Sequence, residues 1–93
     1  MGPTLKEIAA AAGAIADQTI KTPVLDLGQA RWGDTLPDAD VVMKLELFQQ
    51  TGSFKARGAL IGIQGVDAAA RMTGVVAASG GNHAMAVAWA AQA

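Results

Sequence analysis

Thr51-Gly52-Ser53-Phe54-Lys55-Ala56-Arg57-Gly58-Ala59 is the stretch on which the fold of this 93-residue chain turns. Ser53 can cap a helix that begins near Phe54 and runs through Leu60 to about Gln64, where Gly62 and Gly65 weaken or end it. Lys55 then sits on the first helical turn. A lysine amine condenses with an aldehyde only when it is deprotonated, and partial desolvation beside Phe54 and a helix N-terminus favours the neutral form. Most lysines are solvated and perform no chemistry, so context has to single this one out.

A second segment, Ala78-Ser79-Gly80-Gly81-Asn82-His83-Ala84, reads as a glycine-bearing turn between a short buried strand, Gly74 to Ala78, and an alanine-rich helix. From Asn82 the apolar positions Met85, Val87, Ala88, Trp89 and Ala91 continue that helix, with Met85 and Trp89 as core candidates. A strand that feeds a helix through small residues exposes unpaired backbone N–H groups at the positive end of the helix dipole, a nest suited to anions. The plain alternative is a connection capped by Ser79 or Asn82, with Gly80 and Gly81 present only for backbone freedom.

The remaining elements frame these two segments. Thr4 with Glu7 makes a capping-box pattern, and Leu5, Ile8, Ala12 and Ile15 recur at helical spacing, so a packing helix is predicted from Leu5 to Gln18. Thr22-Pro23 forces an extended start to a short strand, Val24 to Leu27. Arg31 to Asp40 has turn chemistry, with Trp32 expected to cover core from that loop. A half-buried strand follows from Val41 through Leu47, because Met43, Leu45 and Leu47 alternate with Lys44 and Glu46. Lys44 and Glu46 are read as a solvated or paired face rather than an acid and base, and Arg57 as the partner of a carboxylate inside the fold. Asp67 to Arg71 gives one further helical turn. Strand and helix therefore alternate, which predicts an α/β fold with a largely parallel sheet and ligands beyond the carboxyl ends of its strands.

Composition excludes several classes. A net charge of -1 with scattered basic residues leaves no footprint for nucleic acid. The absence of cysteine removes disulfides and thiolate metal sites, and a single histidine without a nearby second ligand argues against zinc, so no metal is expected. The alanine-rich N-terminal stretch is broken by Gly13 and Asp17 and falls short of the ~20 strongly apolar residues of a membrane span. Neither basic residues nor an uninterrupted apolar run suggests a secretory signal there, so the cytoplasm is the expected setting.

The two motifs together resemble the pyridoxal-phosphate (PLP) enzymes of the tryptophan-synthase-β type, and within them the threonine/serine dehydratases, or ammonia-lyases. The family's Ser-Phe-Lys-x-Arg-Gly-Ala run is matched without a gap by Ser53 to Ala59, and its small-Ser-x-Gly-Asn-His-Ala run by Ala78 to Ala84. The lead-in Leu45 to Gly52 is similar too, and the resemblance extends from about Thr22 to Ala93. It implies that Lys55 is the Schiff-base lysine and the base for the α-proton, with Phe54 packed near the cofactor ring and Asn82 bonded to the ring hydroxyl. Backbone N–H groups from Ser79, Gly80, Gly81, Asn82 and His83 would take the substrate carboxylate, His83 in a supporting role.

The same resemblance implies a β-elimination that converts L-threonine or L-serine to 2-oxobutanoate or pyruvate plus ammonia, in a homo-oligomer acting on a small amino acid. It assigns residues 1–72 to the N-terminal part of a large PLP-binding domain and 73–93 to the start of a smaller mobile one. Serine racemases share both motifs but typically place a second serine where this chain has Gly80, which disfavours racemisation. Cysteine synthases differ at both motifs. No run resembles the family's later glycine-rich phosphate loop or its partner to the pyridine nitrogen. The 93 residues are therefore read as an N-terminal portion, expected to be marginally stable, prone to association and inactive alone. The competing expectation is a non-catalytic fragment or assembly module of such an enzyme.

Overall fold

The computed structural model describes residues 1–28 and 39–93. Helix α1 spans Leu5–Ile15 and opens with the anticipated capping box, in which the Thr4 hydroxyl accepts from the Glu7 N–H and the Glu7 carboxylate accepts from the Thr4 N–H. The helix ends one turn before Gln18, because the chain folds into turns where the Thr19 N–H and hydroxyl both donate to the Ile15 carbonyl. Only that last turn packs. Ile15 is buried while Leu5 and Ile8 are exposed.

Strand β1, Val24–Gly28, pairs antiparallel with β2, Val41–Lys44, in the register Val24 to Lys44 and Leu25 to Met43. The largely parallel sheet expected from the sequence is not found among the described residues. Parallel pairing needs a crossover that is usually helical, whereas the sequence joining these strands, with Gly33, Asp34 and Pro37, has turn chemistry. The Trp32 loop expectation lies mostly outside the described residues.

Strand β2 also stops earlier than the alternation suggested. Two short 3₁₀ turns, Glu46–Phe48 and Gln50–Gly52, replace its end. Glu46 is drawn out of strand register by the Thr22 hydroxyl and the Arg57 guanidinium, as described below, so Leu47 is left exposed.

Helix α2 covers Lys55–Gln64, helix α3 covers Ala68–Met72 with Asp67 as its cap, and helix α4 covers Asn82–Gln92. Helices α2 and α4 carry the core. Leu60, 2% exposed, packs with Ala59, Ala86, Ala90 and Ile15, and the half-buried Ile61, Ile63, Val87 and Trp89 surround them. Alanines at the contact let the two helices approach closely, and truncation of Leu60 to alanine would cost about 2–4 kcal/mol.

Two further expectations fail here. Met85 is 54% exposed and lies off the core face. Residues 74–78 form no strand, and Val76 is 99% exposed, because no neighbouring strand among the described residues satisfies their backbone.

Candidate active site

Helix α2 is aimed by the turn that precedes it. Thr51 adopts φ 62°, ψ 5° and Gly52 φ 79°, so two successive residues enter the left-handed region just ahead of the lysine. For a β-branched residue that conformation is strained. The Thr51 hydroxyl is also buried without a partner among the described residues. Strain and an orphaned hydroxyl at this corner mean that the surrounding packing holds the turn in place.

Ser53 is buried, and its hydroxyl accepts weakly, at 3.4 Å, from the Lys55 N–H. It acts as the anticipated cap, although Phe54 already has helical backbone angles. Phe54 and Lys55 both face outward, and the Lys55 ammonium lies 5.2 Å from the centroid of the Phe54 ring. The desolvation anticipated for Lys55 is not found, since Phe54 itself is 61% exposed.

Lys55 stands at the wall of a cleft of about 600 Å³. Successive turns of α2 supply one side through Gly58 and Gly62, with Val66 just beyond the helix end, helix α4 supplies His83 and Val87, and Val75 and Val76 close the third side. Positions 55, 58, 59, 62 and 63 recur at helical spacing, which places them on one face. A Cβ at Gly58 or Gly62 would meet no atom within 4 Å, so these glycines leave open floor next to the lysine. Each costs its helix roughly 1 kcal/mol relative to alanine. Cleft space, not packing, is what they provide.

The structure thus brings His83 to the same cleft as the adjacent Phe54 and Lys55, from which it is far apart in sequence. Ser79, Gly80, Gly81 and Asn82 are exposed at the N-terminus of α4 and adjoin the cleft through His83 without lining it. Neither Ser79 nor Asn82 caps this helix. The Ser79 hydroxyl accepts from the Gly81 N–H, and no side chain caps α4. First-turn N–H groups there keep the free donor character expected of an anion nest.

Behind the lysine, polar side chains meet. Arg57 donates through Nε to one Glu46 oxygen and through its terminal nitrogen, at 3.2 Å, to the other, and the Thr22 hydroxyl donates to Glu46 at 2.6 Å. These bonds hold the Glu46 carboxyl well below its ordinary value of 4.5, at about 2, against the opposing effect of burial; Arg57 is raised in return. Gln49 is buried and grips the Ile20 backbone, donating to its carbonyl at 2.8 Å and accepting from its N–H at 2.9 Å. Sequence reading anticipated the pairing of Arg57 but missed Thr22 and Gln49; Gln49 stands just ahead of the lysine motif, whereas Thr22 lies far from it in sequence and carries no such signal.

The family model for pyridoxal-phosphate dependent enzymes matches residues 15–93. The chain belongs to that family. The match begins ahead of Thr22, where the motif resemblance starts. A phenylserine dehydratase from Ralstonia pickettii is 39% identical over 89 residues, covering 96% of this chain and 26% of that protein. An L-threonine ammonia-lyase from Thermotoga maritima is 53% identical over 53 residues, covering 57% of this chain and 13% of its own length. Among solved structures, maize serine racemase superposes with a TM-score of 0.79 at 36% identity, over 99% of this chain and 28% of that one.

The α/β fold is therefore that of the N-terminal part of a tryptophan-synthase-β-like PLP enzyme. The chain spans about a quarter of the length of the curated relatives that it matches over nearly its whole extent. Among the described residues no helix is long and apolar enough to cross a membrane, and no acidic, histidine or cysteine cluster could hold a metal.

What the described residues offer the family's cofactor fits its chemistry. A primary amine borders an apolar cleft whose floor is kept open by two glycines, with a histidine across from it. A flat aromatic ring carrying an aldehyde suits that donor set.

Proposed function

We propose that this chain supplies the lysine-bearing part of a PLP-dependent ammonia-lyase acting on L-threonine, L-serine or both. The observation that carries the reading is the largely apolar cleft lined by both Lys55 of α2 and His83 of α4. When bound, PLP withdraws electrons from the α-carbon of an amino acid. Lys55 would hold the cofactor through its aldehyde carbon, and as a free amine its Nζ would accept the α-proton of the substrate. The same Nζ would return that proton to the departing β-hydroxyl, which leaves as water, and addition of one water to the remaining product would give a 2-oxo acid and ammonia.

The other assignments follow the same division of labour. Uncapped N–H groups between Ser79 and His83 bind the substrate carboxylate, as a helix N-terminus does for anions. Asn82 bonds the ring hydroxyl, and Phe54 packs beside the ring. Residues 73–93 open a smaller domain that closes over substrate, residues 1–72 belong to the larger one, and the whole enzyme is a homo-oligomer. The cytoplasm is the proposed setting, in keeping with a cysteine-free sequence.

Gly80 favours elimination over racemisation, because it offers no side-chain proton for the opposite face of the α-carbon. The test is release of 2-oxobutanoate from L-threonine and pyruvate from L-serine by the holoenzyme. Cofactor binding with no oxo-acid from either amino acid would overturn the lyase reading, and inversion of serine without oxo-acid would replace it by racemisation.

A further inference from the structure

We infer that Thr22, Glu46 and Arg57 form a positioning clamp that fixes the first turn of α2 and thereby sets where the Lys55 amine stands in the cleft. The inference rests on the Lys55 reading above. Lys55 and Arg57 are two residues apart, so they project from nearly opposite sides of the helix. One side chain reaches into the cleft, and the other is tied to the body of the fold.

The tie joins three separate parts of the chain. Glu46 comes from the 3₁₀ turn after β2, Thr22 from the segment before β1, and Arg57 from α2, which also donates to the Ile20 carbonyl at 3.3 Å. Arg57 engages both Glu46 oxygens through different nitrogens. Such a fork restricts rotation of the helix about its axis as well as sliding along it, which a single point contact would not do. The side chains are 15% and 32% exposed, which shields the pair partly from water and salt.

Gln49 adds a second tie to the same strand-like segment by bonding both polar groups of Ile20. Its backbone carbonyl accepts from the Gly52 N–H at 2.8 Å, which carries the restraint into the strained turn just before the lysine. None of these groups lines the cleft. They act on the lysine through backbone placement alone.

The test compares the wild-type chain with Glu46→Gln, Arg57→Gln, Arg57→Lys and Thr22→Val. Two readouts are used: amide exchange in α2 against α4, and the distribution of PLP fixed by borohydride among Lys55, Lys6, Lys21 and Lys44. First-turn amides of α2 should exchange about tenfold faster in Glu46→Gln and Arg57→Gln, with α4 unchanged. The label on Lys55 should fall severalfold relative to Lys44, and Arg57→Lys should recover part of it.

Retained α2 protection in both variants overturns the clamp, as does a loosened turn with an undiminished Lys55 label. If a variant loses protection throughout the chain, Thr22→Val, which removes one hydroxyl, decides by the same criteria. If the wild-type chain shows no preference for Lys55, the Lys55 chemistry falls. The exchange ratio then decides the clamp by itself.

Discussion

The two sides of helix α2 are built on opposite principles. Toward the body of the fold, Arg57 meets Glu46, Thr22 and Ile20 in a partly buried set of satisfied hydrogen bonds, and Ala56 and Leu60 are buried. Toward the cleft, the same helix shows an exposed lysine, an exposed phenylalanine and two glycines with open space above them. One side spends its residues on placement, and the other gives up helix stability for room. A functional lysine needs both, because an amine that moves freely loses the orientation its chemistry depends on.

The largest effect that could break this contrast belongs to Lys55→Ala. It should remove most of the PLP that borohydride fixes on the chain as a whole while leaving far-UV circular dichroism unchanged, since an exposed first-turn side chain contributes little packing. An undiminished total label, carried by Lys6, Lys21 or Lys44, would dissolve the distinction between the two sides.

Next in size is the acid limb of stability. Glu46 is held at about 2 in the folded chain against an ordinary 4.5, so its contribution is complete above 4.5 and is lost as the pH falls toward 2. The groups facing it are Arg57, Lys44 and the neutral Thr22. After allowance for solvent screening, urea titrations between pH 5 and 2 should show roughly 1–2 kcal/mol of decline attributable to this group. The Glu46→Gln chain should lack that part of the decline, and an identical slope in both would mean that the pair is solvated and places nothing.

Gly58→Ala sharpens the contrast by setting stability against room. The new methyl group meets no atom within 4 Å, so helix propensity alone should raise stability by about 0.5–1 kcal/mol. Labelling of Lys55 by PLP should slow at the same time, because the methyl group projects over the cleft floor. A gain in stability with unchanged labelling kinetics would show that the floor is not used.

Thr51→Gly should give the smallest change, a gain of about 0.5–1 kcal/mol in denaturant titration, by relieving a left-handed threonine and removing an orphaned hydroxyl. A loss of stability would mean that the threonine methyl group packs more productively than its strain costs.

Much of this was legible before any coordinates. The lysine motif, the start of α4 at Asn82, the capping box at Thr4 and the pairing of Arg57 all rest on short-range chemistry or on a residue pattern that demands its partner. Periodicity misled where the environment decides conformation. The run from Val41 to Leu47 alternates like a strand, yet Glu46 turns out of register to reach Arg57, and 74–78 has strand composition but finds no pairing neighbour.

What the sequence by itself determined is the family, because it resides in contiguous residues whose order is specific; the same residues single out Lys55 as the lysine proposed for the chemistry. Only the tertiary structure decided that His83 and Lys55 line one cleft, that Asn82 and the glycine turn stand beside that cleft and not on its wall, and that Thr22 bonds Glu46 and Gln49 bonds Ile20. Those relations join residues about 25 to 30 positions apart. They depend on how α2 and α4 pack through their alanines and on where the segment before β1 returns, and no local pattern encodes either distance.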